Sequence, residues 1–206
     1  MNYNRLKHIP AELGVNLPRL RKLAFAFNHV EEVSATLGQL RHLEVLIARC
    51  NKLRSLPSEL LHCQSLHNFA IDSNRFVKKP APSTSAAPQI RVVPSLLGLT
   101  SRAIVNGSMA ESLCDASPRS MPEELWHLLF DQTLCCAVCE KLFCLNELER
   151  IGFSNLNHLS CDVVHIPLVF RFCSPQCLDN AQTNGVADIK AFYTRDDVMA
   201  IAKHVI

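Results

Sequence analysis

Residues 43–60 read Leu43-Glu44-Val45-Leu46-Ile47-Ala48-Arg49-Cys50-Asn51-Lys52-Leu53-Arg54-Ser55-Leu56-Pro57-Ser58-Glu59-Leu60. The apolar positions Leu43, Leu46, Ala48, Leu53, Leu56 and Leu60 are spaced around Asn51, and the same spacing recurs on both sides. Upstream it reads Leu20, Leu23, Phe25, Asn28, Val30, Val33 and Leu37; downstream it reads Leu66, Phe69, Ile71, Asn74 and Phe76, and then stops. Asn28, Asn51 and Asn74 follow one another at 23 residues, and Asn4 precedes Asn28 by 24. A fixed period of this length marks copies that stack, because one copy alone cannot bury its apolar face. Each copy is expected to form a short strand, a turn in which the asparagine side chain bonds exposed backbone, and a looser return segment. Asn28, Asn51 and Asn74 are therefore read as structural.

The registered copies over residues 1–76 resemble the leucine-rich repeat family. Asn4 belongs to a copy whose strand would lie before Met1, so a shortened array is expected, the alternative being an N-terminal edge covered by something else. No cysteine-rich cap is present, which fits the intracellular type. Side chains between the core positions should face the concave surface. They are Lys22, Ala24, Ala26 and Phe27, then Val45, Ile47, Arg49 and Cys50, then Asn68, Ala70, Asp72 and Ser73. The strip Ala24–Ile47–Ala70, with Phe27 and Val45 beside it, is apolar for a solvated face. Such patches mark binding sites or lie under another segment of the same chain. Ala24, Phe27, Val45, Ile47, Arg49, Ala70 and Asp72 are the candidate partner contacts.

Composition narrows the function classes. The chain has 206 residues, 48% apolar and 19% charged, which suits one or two domains with a real core. A formal net charge of +2 gives no strong electrostatic case for nucleic acid or an anionic membrane. Six glycines argue against a glycine-rich phosphate-binding enzyme. No apolar run approaches the roughly 20 residues of a membrane helix, and the first residues lack the apolar core of a signal peptide. The expectation is a cytoplasmic protein, also compatible with the nucleus, whose cysteines are reduced and favour metal over disulfides.

From Val77 the composition changes to proline, serine and alanine, so 77–93 reads as a proline-rich linker. Residues 94–130 then carry two amphipathic helices. In the first, Leu96, Leu99, Thr100, Ala103 and Ile104 share one face after Pro94; in the second, Met121, Leu125, Leu128 and Leu129 do so after a capping box at Ser120 and Glu123. The segment Ser95-Leu96-x-x-Leu99-Thr100 resembles the elongin-binding box of cullin–RING ligase receptors. Leu96 matches the leucine that fills an elongin C pocket in that family, and Thr100 stands where cysteine or alanine is usual. Met121-Pro122-Glu123-Glu124-Leu125 loosely matches the cullin-contacting motif. The resemblance implies elongin B–elongin C and a cullin as partners, docked helix in groove; the plain alternative is an ordinary packing pair.

Seven of the ten cysteines fall within 135–177. Cys136-Ala137-Val138-Cys139 and Cys173-Ser174-Pro175-Gln176-Cys177 supply two short pairs, as a tetrahedral zinc ion requires. Cys136, Cys139, Cys173 and Cys177 are the candidate ligands. Cys135 can replace Cys136, and Cys144, Cys161, His158 or His165 can join a second site; buried packing cysteine is the other reading. The apolar stretches 142–145 and 163–172 are expected as strands. Phe172-Cys173-Ser174-x-x-Cys177 resembles the second half of FCS-type zinc knuckles, which implies a treble-clef-like module over 131–182 with its last cysteines at a turn into a helix. Four thiolates leave no open coordination position, so the zinc reads as structural; a metal-dependent enzyme requires fewer protein ligands. Residues 183–206 close with a helix from Thr194 whose inward face is Val198, Ile201, Ala202 and Val205.

The whole chain thus reads as α/β: a short leucine-rich repeat solenoid, a small helical segment and a zinc-binding treble-clef-like module. It resembles the small intracellular leucine-rich repeat proteins whose C-terminal ends share this cysteine pattern. No nucleophile elbow, phosphate loop or metalloprotease motif occurs, so no enzyme is expected. The expected function is a protein-interaction adaptor, specifically the substrate receptor of a cullin–elongin ubiquitin ligase. The alternative is a signalling scaffold whose zinc only folds the C-terminal unit.

Overall fold

The computed structural model describes residues 1–79, 134–143, 148–154, 165–186, 189 and 192–193. The proline-rich stretch from Pro80, both expected helices at 94–130 with Leu96, Leu99 and Thr100, and the final helix lie outside these residues, as do Cys144, Cys161 and His158. The described residues form a mixed helix and strand structure with three small sheets, none closed into a barrel. The chain divides into two compact units. The first comprises Met1–Ala87, Ile151–Val169 and Ala191–Ile206, and the second Pro88–Arg150 and Phe170–Lys190.

In the first unit the recurring copies become stacked rungs. Strands β1 (Lys22–Ala24), β2 (Val45–Ile47) and β4 (Asn68–Ala70) form a parallel sheet in the order β1-β2-β4. Leu23, Leu46 and Phe69 are registered partners and all are buried, while the residues on either side point outward. Strand alternation sends the flanking pair to the opposite face from the central residue. Phe25, Ala48 and Ile71 complete the buried row beyond the strands.

Three positions beyond each strand a left-handed residue stands directly before an asparagine: Phe27 at φ 57°, Cys50 at 54° and Ser73 at 57°, with Tyr3 at 56° before Asn4. This backbone reversal turns three carbonyls toward the asparagine amide. Asn51 Nδ2 donates to the carbonyls of Ala48 (3.1 Å), Arg49 (3.2 Å) and, one rung upstream, Phe25 (3.0 Å). Its Oδ1 accepts from the Val30 N–H at 3.0 Å. Asn74 repeats the pattern toward Ile71, Asp72 and Ala48 and accepts from Leu53; Asn28 repeats it toward Phe25, Ala26 and Met1 and accepts from Leu6. Buried backbone groups must be paired, and one side chain per rung does this for a turn with no strand beside it.

The return segments are short: α1 (Glu12–Asn16) and two 3₁₀ turns, Ala35–Gln39 and Ser58–His62. Glycine sets their approach. A Cβ on Gly38 would lie 2.5 Å from the Glu59 carbonyl oxygen, and one on Gly14 would meet the Thr36 carbonyl. Between the second strand and its return, β3 (Leu56–Pro57) pairs in parallel with β8 (Ile166–Arg171), Leu56 opposite Leu168 and Pro57 opposite Val169. The sheet continues in the order β3-β8-β7-β9 through β7 (Glu149–Ser154) and β9 (Phe192–Tyr193). Ile151, Phe153 and Val169 form its small core, with Val77 packed against them. Val77 opens the expected linker, yet its N–H donates to the Arg54 carbonyl at 3.0 Å.

Candidate metal centre

In the second unit, β5 (Leu134–Cys135) and β6 (Leu142–Phe143) pair antiparallel, Leu134 opposite Phe143 and Cys135 opposite Leu142. The connection is a tight turn over 137–139. The Glu140 N–H donates to the Cys136 carbonyl at 3.1 Å, the Cys136 N–H to the Lys141 carbonyl at 3.0 Å, and Glu140 sits at φ 58°. A left-handed residue after the second cysteine lets the chain reverse within four residues and aims both thiols to one side.

The other pair is placed by the end of β8 and by α2 (Pro175–Asn184). Ser174 is the N-cap: its Oγ accepts from the Cys177 N–H at 3.3 Å, and Pro175 occupies the first helical position. Cys177 therefore sits in the first turn of the helix, its N–H held by the cap. The Ala137 N–H donates to the Arg171 carbonyl at 2.9 Å, which ties the hairpin turn to the residues before Cys173. The Phe172 N–H to Leu148 carbonyl bond (2.9–3.0 Å range for such bonds, here 3.0 Å) and the Arg171–Glu149 ion pair at 3.8 Å hold the same stretch from its other side.

These elements converge four sulfurs. The Sγ atoms of Cys136, Cys139, Cys173 and Cys177 all lie within 4.8 Å of one another. Cys139 and Cys173 are 3.5 Å apart, and Cys173 and Cys177 are 3.7 Å apart. A tetrahedral ion with metal–sulfur bonds of about 2.3 Å sets its ligands about 3.8 Å apart. All four cysteines are free thiols. The cluster is close enough to hold a metal ion such as zinc.

The electrostatics ask for a cation. Burial raises the Cys136 thiol, but hydrogen bonds from the Cys139, Cys173 and Val138 backbone and from the Cys173 side chain outweigh it and hold the group low. One of these is the Cys173 N–H to Cys136 Sγ bond at 3.4 Å. Cys173 is pushed up first by burial and then by the Cys139, Cys136 and Cys177 sulfurs; burial also pushes Cys177 up, against hydrogen bonds with Ser174 and Cys173 that pull it back. One thiolate is thus prepared by the backbone, and its neighbours resist ionising beside it. A divalent ion removes that conflict by taking the negative charge of all four.

The alternatives among the cysteines separate by direction. The Cys135 Sγ contacts the Glu140 carbonyl at 3.3 Å and lies outside the cluster, because adjacent strand residues face opposite ways. His165 is exposed at φ 60° and is not part of the cluster either. Within the described residues the strands expected at 142–145 and 163–172 are β6 and β8, with 144–145 and 163–164 outside them; β7 was not expected.

The candidate partner contacts lie on the first unit. Ala24, Ile47 and Ala70 are registered partners across β1, β2 and β4, and all are half-buried; so is Val45. Arg49 and Asp72 approach to 3.9 Å as a half-exposed ion pair. Phe27 is 41% exposed and stacks on Tyr3, ring centroids 4.4 Å apart. Ala26 corrects the expected surface: it is buried, because residues 1–4 run alongside it. Its N–H donates to Asn2 Oδ1 at 2.8 Å, and its carbonyl accepts from the Tyr3 N–H at 2.9 Å.

A comparison with protein-family models finds no match for this chain, and a search of curated proteins finds none either. Among the described residues no helix is long and apolar enough to cross a membrane.

Proposed function

We propose that the chain is a leucine-rich repeat protein-interaction adaptor whose C-terminal module is folded around a structural zinc ion. The observation that carries the reading is the closed set of four sulfurs at Cys136, Cys139, Cys173 and Cys177. Zinc ligated by four thiolates has no position left for water or substrate, so its contribution is to folding. The repeat reading is supported by the registered strands and the asparagine ladder, which make a regular face. On that face the apolar strip Ala24–Ile47–Ala70 is the partner surface.

The test is cross-linking mass spectrometry on the tagged native chain and on Ile47→Asp, with circular dichroism as a folding control. The reading expects a defined set of cross-linked proteins that disappears with the substitution while the fold is retained. An unchanged set removes the partner surface from β1, β2 and β4.

The narrower proposal, a substrate receptor of a cullin–elongin ligase, rests on Leu96, Leu99 and Thr100 in the sequence. It expects elongin B–elongin C to co-purify with the native chain and not with Leu96→Ala. Absence of binding by the folded, zinc-loaded chain leaves the signalling scaffold.

A further inference from the structure

Stacking puts residues that are distant in sequence into columns, and one column holds only basic residue types. The residues directly after the four asparagines are Arg5, His29, Lys52 and Arg75. The backbone ties these positions together. The His29 N–H donates to the Leu6 carbonyl at 2.9 Å, the Lys52 N–H to the Val30 carbonyl at 2.9 Å, and the Leu53 N–H to Asn74 Oδ1 at 3.1 Å. His8 and Glu32 are bridge partners in parallel register, which sets Arg5 opposite His29. Hydrogen-bonded neighbours of this kind lie about 4.8 Å apart, and registered side chains leave on the same side.

Of the next residues, Val30 and Leu53 are buried and Leu6 and Phe76 half-buried. The column therefore turns outward: Arg5, His29 and Arg75 are exposed and Lys52 is half-buried. Lys7 and Arg54 are exposed two positions further on. Over 5–8, 29–32, 52–55 and 75–79 there are seven lysines and arginines against two glutamates, in a chain whose formal net charge is only +2. The basic charge is thus concentrated on one edge of the rungs.

We propose that this edge binds an acidic peptide segment of a partner protein, separately from the apolar strip on the strands. The site needs several simultaneous contacts, because one exposed ion pair is worth little. Glu31 and Glu32 decide between the polyanions. They stand in the second rung, between the cations of the first and third. A phosphate chain carries uniform negative charge and meets them with repulsion. A peptide can place a neutral or basic residue there and still present carboxylates to Arg5, Lys52 and Arg75. Tyr3 and Phe27 are stacked on each other, so one face of each ring is already covered against base stacking.

The test uses a fluorescein-labelled twelve-residue peptide of alternating glutamate and serine, its glutamine–serine counterpart, and a labelled oligouridylate of equal length. Binding is read by anisotropy at an ionic strength of about 0.1 M, where exposed charges act over about 10 Å. Arg5→Glu with Arg75→Glu is compared with Arg19→Glu with Lys22→Glu, an equal charge change at exposed positions off the column. Arg5→Gln with Arg75→Gln serves as a milder second variant. The expected result is saturable binding of the acidic peptide only. It weakens about tenfold or more in the column reversal, less in the glutamine pair, and under about twofold in the control pair. No binding by the native chain, equal losses in both reversals, or tighter binding of oligouridylate would each overturn the proposal.

Discussion

Replacing Asn51 by alanine removes four hydrogen bonds from one rung, but their losses are unequal. The three carbonyls keep other donors: Phe25 from Asn28 Nδ2, Ala48 from Asn74 Nδ2, and Arg49 from the Phe27 N–H. The Val30 N–H has Asn51 Oδ1 as its acceptor at 3.0 Å, and Val30 is fully buried. An orphaned buried donor costs about 1–3 kcal/mol, and each net hydrogen bond lost about 0.5–1.5 kcal/mol. The total is about 3 kcal/mol, about a hundredfold in the folded-to-unfolded ratio. The exposed Asn4 side chain donates to the Met1 and Asn2 carbonyls, so Asn4→Ala should cost under about 1 kcal/mol. Asn51→Asp should be at least as harmful as alanine, because it turns a carboxylate toward three carbonyl oxygens. Urea denaturation followed by far-ultraviolet circular dichroism, on zinc-loaded protein, measures all three. A cost below about 0.5 kcal/mol for Asn51→Ala, or equal costs for Asn51→Ala and Asn4→Ala, would refute the ladder account.

Gly38→Ala should destabilise by about 1–3 kcal/mol, because the new methyl meets the Glu59 backbone, and the midpoint of thermal unfolding would show it. Burial pushes the Cys63 thiol up to about 11 against the nearby charge of Arg41. Below the ordinary thiol range its neutral form is compatible with both states; its contribution to stability is complete there and is lost as pH rises through about 11. Iodoacetamide at near-neutral pH should therefore modify folded Cys63 roughly two orders of magnitude more slowly than an exposed thiol, read by peptide mass mapping. Equal rates would contradict its buried placement.

The strands and the cysteine cluster were legible because each rests on short-range repetition. Leu23, Leu46 and Phe69 occupy one environment three times, so the 23-residue spacing alone aligns them. Two short cysteine pairs likewise declare a common centre. The two-residue gap to Cys139 already favoured Cys136 over Cys135 as the ligand, and the converged sulfurs include Cys136 and leave Cys135 out. The pairing of Leu56–Pro57 with β8 was hidden: it joins residues 112 apart, Leu56 to Leu168, and local patterns carry no signal for such contacts. β7 was missed because Arg150-Ile151-Gly152-Phe153-Ser154 is short and interrupted by glycine. Ala26 looked like surface until residues 1–4 were seen beside it. The basic column needed the stacked rungs, since Arg5, His29, Lys52 and Arg75 are unremarkable until they are registered.

The most direct test is metal content after purification without added zinc, by mass spectrometry of the native fold beside elemental analysis. The account predicts one zinc per chain, lost in Cys136→Ser and Cys177→Ser together with ordered structure in the C-terminal module, and retained in Cys135→Ser. A folded native chain without metal, or zinc retained in Cys177→Ser and lost in Cys135→Ser, would contradict it.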